Sequence, residues 1–179
     1  MKSDKTRSTN PSNGAAKTHG RQLLTVLFTD MVHSTETAVA YGDIKWRSLI
    51  DRHHALVRTA LLQFLGREID TAGDGFFATF EQPANAIQCA SAVSQQVSEL
   101  DLEIRAGLHL GECDVTEDAV RGITVHIGAR VAARASAGEV LVSGTLKDAL
   151  AGSEIRFKKR GAYELKGIPG EWKLSAVEL

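Results

Sequence analysis

The chain alternates between short apolar runs and longer stretches in which apolar residues recur every three or four positions. The run LLTVLFT over 23–29, rich in β-branched and apolar residues, predicts a buried strand, and His33–Ser34–Thr35–Glu36 after it reads as a helix start. Over about 43–65, Leu49, His53, Leu56, Ala60 and Phe64 return at helical spacing, and Gly66 is placed to end that helix. REIDTA and FFATFE flank Gly73–Asp74–Gly75 and predict a tight hairpin. Pro83 stands near the start of a helix reaching about residue 100, with Ile87, Ala90, Val93, Val97 and Leu100 on its inner face. LEIRAGLHLGE is the next strand, residues 112–121 an acidic hairpin or loop, 124–135 a helix, EVLVS a strand and 144–150 a short helix. The terminal segment predicts two strands joined by a Gly/Pro turn at 167–170. This order, β-α-α-β-β-α-β-α-β-α-β-β with no internal repeat, predicts an α/β (α+β) fold. Its sheet is antiparallel or mixed, with helices mainly on one face.

Composition narrows the setting. A length of 179 residues suits one domain, and residues 1–20, polar, basic and poor in large apolar side chains, read as a disordered tail ahead of a domain over 21–179. That tail lacks the apolar core of a signal peptide, and no stretch of the chain approaches the roughly 20 apolar residues of a membrane span. A net charge of −1 gives no electrostatic footprint for nucleic acid. Cys89 and Cys113 have no Cys or His companions at metal-ligand spacing, so they read as small side chains in a reducing, cytoplasmic setting.

Two aspartates stand out against this background. Asp30 and Asp74 each sit where an apolar run meets a turn or helix start, on what should be neighbouring strands. Alone, Asp30 reads equally well as a helix N-cap and Asp74 as a turn former. Together they suit a pair of divalent cations held about 3.5–4 Å apart for phosphoryl or nucleotidyl transfer. His126, Arg130 and Arg134 fall at i, i+4 and i+8 on one helix that carries no acidic residue, which leaves the cations for an anion.

FTDMVHST, DTAGDGFFATF, GLHLGE, GITVHIGARVAARA and RGAYELKGIPG together resemble the catalytic domain of class III nucleotide cyclases, in the form common in actinobacteria and other bacteria. The resemblance covers roughly residues 22–179. It implies a ferredoxin-like palm core with extra strands and helices, and a homodimer whose composite active sites draw on both chains. It implies Asp30 and Asp74 as ligands of two Mg²⁺ or Mn²⁺ ions, and Arg130 as the transition-state arginine given by the partner chain. His126 stands where an asparagine usually orients the ribose, and Lys166 matches a lysine on the triphosphate tail. The backbone at Phe28, Thr29, Met31, Val32, His33 and Ser34 would cradle phosphates. The implied reaction is attack of the ribose 3′-hydroxyl on the α-phosphorus, giving a 3′,5′-cyclic nucleotide and pyrophosphate.

Two positions depart from the adenylate pattern, which has a lysine four residues before the second metal aspartate and an aspartate seven before the ribose-orienting residue. Asp70 and Ala119 stand there instead. An acidic residue at the first position resembles guanylate cyclases, though Ala119 does not complete that pattern either. ATP is the first expectation for the substrate and GTP the alternative, with each base contact worth about 1–3 kcal/mol. From another class, a catalytically silent cyclase-like module that dimerises or binds nucleotide would also fit. A diguanylate cyclase shares only AGDGF, and a polymerase palm would need a longer, basic chain.

Overall fold

A computed structural model describes residues 18–179. Up to residue 17, the tail expected over 1–20 lies outside the described residues, and its last three residues open the first strand. β1 (Thr18–Met31) leads through α1 (Ser34–Tyr41) and α2 (Asp43–Gln63) to the hairpin of β2 (Arg67–Ala72) and β3 (Gly75–Phe80). α3 (Pro83–Ser98) returns to β4 (Ile104–Thr116), which folds back into the two-residue β5 (Val120–Arg121). α4 (Ile123–Ala132), β6 (Val140–Ser143), α5 (Gly144–Ala149) and the hairpin of β7 (Phe157–Leu165) and β8 (Ile168–Val177) follow.

One eight-stranded sheet results, ordered β2-β3-β1-β4-β6-β8-β7 with β5 paired to β4. Among the described residues only β4 and β6 pair in parallel, and the connection between them carries α4. The mixed, mainly antiparallel α/β architecture read from the sequence is thus present. Alternation along β1 sets the layers. Leu27 and Met31 join Val57 and Leu61 of α2, Ile87 and Val93 of α3 and Leu146 of α5 in the larger core. Leu24, Val26 and Phe28 point the other way, toward Cys113, Val115 and Val125. Three helices therefore cover one face of the sheet, and α4 lies on the other.

α4 is seated very close to the strands. A Cβ at Gly107 of β4 would fall 2.0 Å from the backbone nitrogen of Ala132, and one at Gly128 would fall 2.5 Å from Val26 Cγ2. Only glycine permits that approach. The start of the helix is tied down as well, because buried Thr124 donates its hydroxyl to the Glu112 carbonyl at 2.7 Å.

The elements expected from the sequence are present, and several of their ends differ. β1 extends beyond 23–29 because its polar first half pairs with the acidic end of β4, where Arg21 meets Glu112 and Asp114 at 3.3 and 3.4 Å. α4 ends at Ala132, so Arg134 sits in the following turn and does not continue the helical stripe of His126 and Arg130. The last hairpin turns at Lys166–Gly167 and not at 167–170. Leu165 pairs with Ile168 and Glu164 with Glu171, which puts Pro169 and Gly170 in a bulge where a missing N–H breaks no rung.

His109 of β4 is 4% exposed, bonded to Ser143 Oγ at 2.7 Å and edge-on to Trp172. Burial pushes its pKa down from the ordinary 6.5 to about 4. A depressed histidine pKa favours the neutral form in the fold, so its stabilising effect is complete above pH 6.5 and is lost as pH falls toward 4. Over that range the unfolded chain gains on the order of 3 kcal/mol from this one group. His109→Gln should therefore flatten the acid limb of a urea-denaturation series relative to the wild type. A separate expectation concerns the helix seat: Gly107→Ala should lower stability by at least about 1–3 kcal/mol, read from the urea midpoint.

Candidate active site

β1 lies between β3 and β4, and its end runs beside the turn that carries Asp74. Thr29 is in register with Phe76, so the next residue, Asp30, comes up beside the Gly73–Asp74 turn of the β2–β3 hairpin. A Cβ placed on Gly75 would lie 3.1 Å from the Thr29 carbonyl and 4.0 Å from Asp30 Oδ1. Asp30 is paired across the other edge with Arg105 of β4, directly opposite in register. Arg105 donates to Asp30 Oδ2 from both Nε, at 3.0 Å, and Nη2, leaving Oδ1 out of the pair. Asp74 Oδ2 is buried and has no hydrogen-bond partner among the described residues.

The turn that carries Asp74 is held from behind by α2. His54 Nε2 donates to the Gly73 carbonyl at 2.8 Å and His53 Nε2 to the Asp74 carbonyl at 3.1 Å. Both rings stand edge-on to Phe76. His53 is fully buried, and burial, the larger effect, lowers its pKa against the opposing pull of the Asp74 carbonyl. A neutral imidazole with its proton on Nε2 satisfies this arrangement. The sequence places His53 in the helical repeat of α2 and gives neither histidine a part at the site. The available signal was two adjacent histidines on an otherwise amphipathic helix.

A cavity of about 370 Å³ opens next to Asp74, lined by Ser34, Thr35, Ala38, Trp46, Ile50 and Gly73. It borders the first turn of α1, where His33 adopts a left-handed conformation (φ 58°) and no side chain caps the helix. The first-turn N–H groups therefore have no intrahelical partner. Of the segment expected to cradle phosphates, Phe28 and Thr29 lie within the ladder between β3 and β4, and Met31 pairs with Ile104. The Val32 N–H donates to the Glu103 carbonyl at 2.8 Å. What the backbone has left to offer an anion begins at His33 and Ser34.

The donor set suits a hard divalent cation: carboxylate oxygens, one of them buried without a partner and another open beside Gly75. Among the described residues no group of three or more His, Cys, Asp or Glu side chains converges. Asp30 and Asp74 would thus share any ion with oxygens of a bound ligand.

The remaining expected residues form two further groups. On the outer side of α4, His126 and Arg130 are exposed, and Arg130 Nε donates to the Lys166 carbonyl at 3.1 Å. Arg134 donates to the Glu164 carbonyl at 2.8 Å and lies over the Tyr163 ring. Among the described residues no carboxylate pairs either arginine. Lys166 is exposed at the hairpin tip, so α4 and the β7–β8 turn bring Arg130 and Lys166 together.

The second group is at the sheet edge. Asp70 lies on β2 just after a bulge, opposite Phe77, and its Oδ1 accepts the Thr71 N–H at 2.9 Å. Phe77 stacks on Phe28 with ring centroids 4.5 Å apart. Ala119 is in the β4–β5 turn, where its N–H donates to Thr116 Oγ1 at 3.1 Å and its carbonyl accepts the Thr116 N–H at 2.9 Å. Arg67 Nη2 reaches the Glu117 carbonyl at 3.0 Å and ties this turn to β2.

Comparison with known proteins agrees with this geometry. The fold is similar to the adenylyl cyclase CyaB from P. aeruginosa, with a TM-score of 0.84 at 20% identity over 89% of this chain and 95% of that one. It is also similar to the guanylate cyclase domain of RhGC from Catenaria anguillulae, solved with GTP, with a TM-score of 0.79 at 16% identity over 91% and 98% of the chains. In sequence it is 24% identical to the receptor-type adenylate cyclase GRESAG 4.3 of Trypanosoma brucei brucei over 82% of the chain. It is 29% identical to the serine/threonine-protein kinase pkn2 of Myxococcus xanthus over 87%. The chain spans only 16% and 20% of the lengths of these two relatives. The model of the adenylate and guanylate cyclase catalytic domain matches residues 17–177, and the chain belongs to that family of class III nucleotide cyclases.

Proposed function

We propose that the chain is an adenylate cyclase that converts ATP to 3′,5′-cyclic AMP and pyrophosphate, working as a homodimer with composite sites. The observation that carries this reading is the placement of Asp30 beside the turn that holds Asp74, with one Asp74 oxygen buried and without a partner among the described residues. Class III cyclases generally depend on divalent metal, and the two aspartates are the residues that would hold two Mg²⁺ or Mn²⁺ ions. Bound there, the ions would lower the pKa of the ribose hydroxyl and neutralise the leaving pyrophosphate.

The chain's own groups account for the rest. First-turn N–H groups of α1 at Ser34 and Thr35 border the cavity beside Asp74 and would receive phosphate oxygens. Arg130 and Lys166 of the partner subunit would stabilise charge that grows on the α-phosphate and the leaving group. His126 of the same helix would hold the ribose. An exposed α4 outer face, with Ile123 57% exposed, supports a second copy covering it. The adenylate cyclases among the similar proteins favour ATP.

One observation favours GTP as a second reading. Asp70 presents an acceptor where the adenylate pattern has a donor, and the Ala119 backbone is already used by Thr116. A carboxylate there suits guanine N1–H and its 2-amino group. The compartment in this reading is the cytoplasm. The described residues contain no helix long and apolar enough to cross a membrane, and both cysteines are free and buried.

Purified protein given ATP or GTP with Mg²⁺ or Mn²⁺ should release cyclic AMP from ATP as the main product. Dominant cyclic GMP would assign the base contact to Asp70, and neither product from a folded dimer would leave a silent regulatory module. Asp30→Ala and Asp74→Ala should each lower kcat by more than the roughly 10²–10³-fold expected for Arg130→Ala. Mixing Asp30→Ala with Arg130→Ala chains should restore part of the activity, because one of the two interface sites then keeps both groups; absence of rescue would argue against composite sites.

A further inference from the structure

α2 carries two adjacent imidazole rings, and both are directed at the backbone of one distant turn. We propose that His53 and His54 are positioning residues for metal: together they hold the Gly73–Asp74 turn in the conformation that presents the Asp74 carboxylate to a divalent cation. This rests on the reading of Asp74 as a metal ligand.

The geometry is a two-point clamp. His54 Nε2 donates to the Gly73 carbonyl at 2.8 Å and His53 Nε2 to the Asp74 carbonyl at 3.1 Å, so two successive peptide groups are fixed from the same helix. The turn needs such support, because Gly73, at φ 62°, has open space around it and no side chain of its own. Phe76 backs both rings, with centroids 5.8 and 5.1 Å away, and the Arg58 guanidinium lies over the same phenyl ring one turn further along α2.

Stability alone gives no reason for a histidine at position 53. That position continues the buried row of Leu49 and Val57, where an apolar side chain would fit the pattern. His53 is fully buried, and its Nδ1 has no hydrogen-bond partner among the described residues. A buried polar atom left without a partner destabilises the fold. What the ring supplies against that cost is its bond to Asp74, and the turn it holds carries a second buried, unpartnered atom, Asp74 Oδ2. A carboxylate oxygen in that state suits a hard cation, and its direction is set by the backbone from which it projects. Groups that orient a metal ligand without meeting the metal commonly change its affinity by about 10–100-fold.

The test is the coupling between Mn²⁺ and nucleotide, measured by calorimetric titration of 3′-deoxy-ATP, which lacks the attacking hydroxyl, in excess Mn²⁺ and again in chelator. If cyclic GMP is the product, 3′-deoxy-GTP takes its place. The wild type should bind the analogue more tightly with Mn²⁺. His53→Leu combined with His54→Leu should reduce that Mn²⁺-dependent gain at least about tenfold and leave binding in chelator unchanged. Its urea midpoint should hold, whereas histidines serving only the fold would lower the midpoint and leave the gain intact. If the leucine pair does not fold, His54→Leu alone, at a partly exposed position, carries the test. His53→Gln with His54→Gln keeps an N–H donor near each Nε2 and should recover most of the gain. Amide hydrogen exchange over residues 72–76 of the metal-free protein is a second readout that needs no ligand; it should speed up in the leucine pair and slow again in the glutamine pair. An unchanged gain or unchanged exchange in the leucine pair overturns the proposal, as does a glutamine pair that recovers nothing. If Asp74→Ala removes the gain and the leucine pair keeps it, the clamp fails while the metal-ligand reading stands. If Asp74→Ala keeps it as well, both fail.

Discussion

Register on β1 is the constraint from which the rest of the site follows. The strand is hydrogen-bonded on both sides, to β3 and to β4, over most of its apolar half. Side chains alternate between two buried layers, so a slip of one residue would send Asp30 into the larger core and expose Met31. The penalty of burying an unpaired carboxylate and losing Leu27 and Met31 from the core fixes one pairing. That pairing puts Asp30 between the Asp74 turn on one side and Arg105 on the other. Neither neighbour is close to Asp30 in sequence, and both are set by the same ladder.

Much of this was legible in the residues themselves. Apolar runs ending at Asp30 and flanking Gly73–Asp74–Gly75 marked strand ends, and a hairpin with glycines beside its tip could be read directly. Helical spacing gave α2 and α3 with their inner faces. Arg105 was not legible, because a partner across antiparallel strands depends on register over fourteen residues of β1 and not on local pattern. His53 and His54 escaped for a related reason: their bonds go to backbone carbonyls of a distant turn, and no spacing rule encodes a carbonyl. Polar residues such as Arg21 and Gln22 hid the first half of β1, since charge pairing with β4 replaced the apolar signal. Pro169 and Gly170 looked like a turn, and the bulge they occupy has the same composition as one.

The site is assembled from parts held with different firmness. Asp74 sits on a two-residue turn clamped by a pair of histidines, and Asp30 on a central strand, so the carboxylates are fixed by the interior of the protein. Asp70 and Ala119 belong instead to an edge strand and a short turn joined through Arg67 to the Glu117 carbonyl. Arg130 and Lys166 are surface groups whose mutual contact is a side chain on a carbonyl. The carboxylates thus sit on the most constrained backbone, and the groups expected to meet the base or a second chain sit on the least.

Gly107 carries one more consequence. Its missing side chain lets α4 rest directly on β4, and Arg105 stands two residues away on the same face of that strand. Interiors packed this tightly are stiff and have little slack to absorb a displacement. A load on the outer side of α4 is therefore borne by the same strand that holds the Asp30 ion pair.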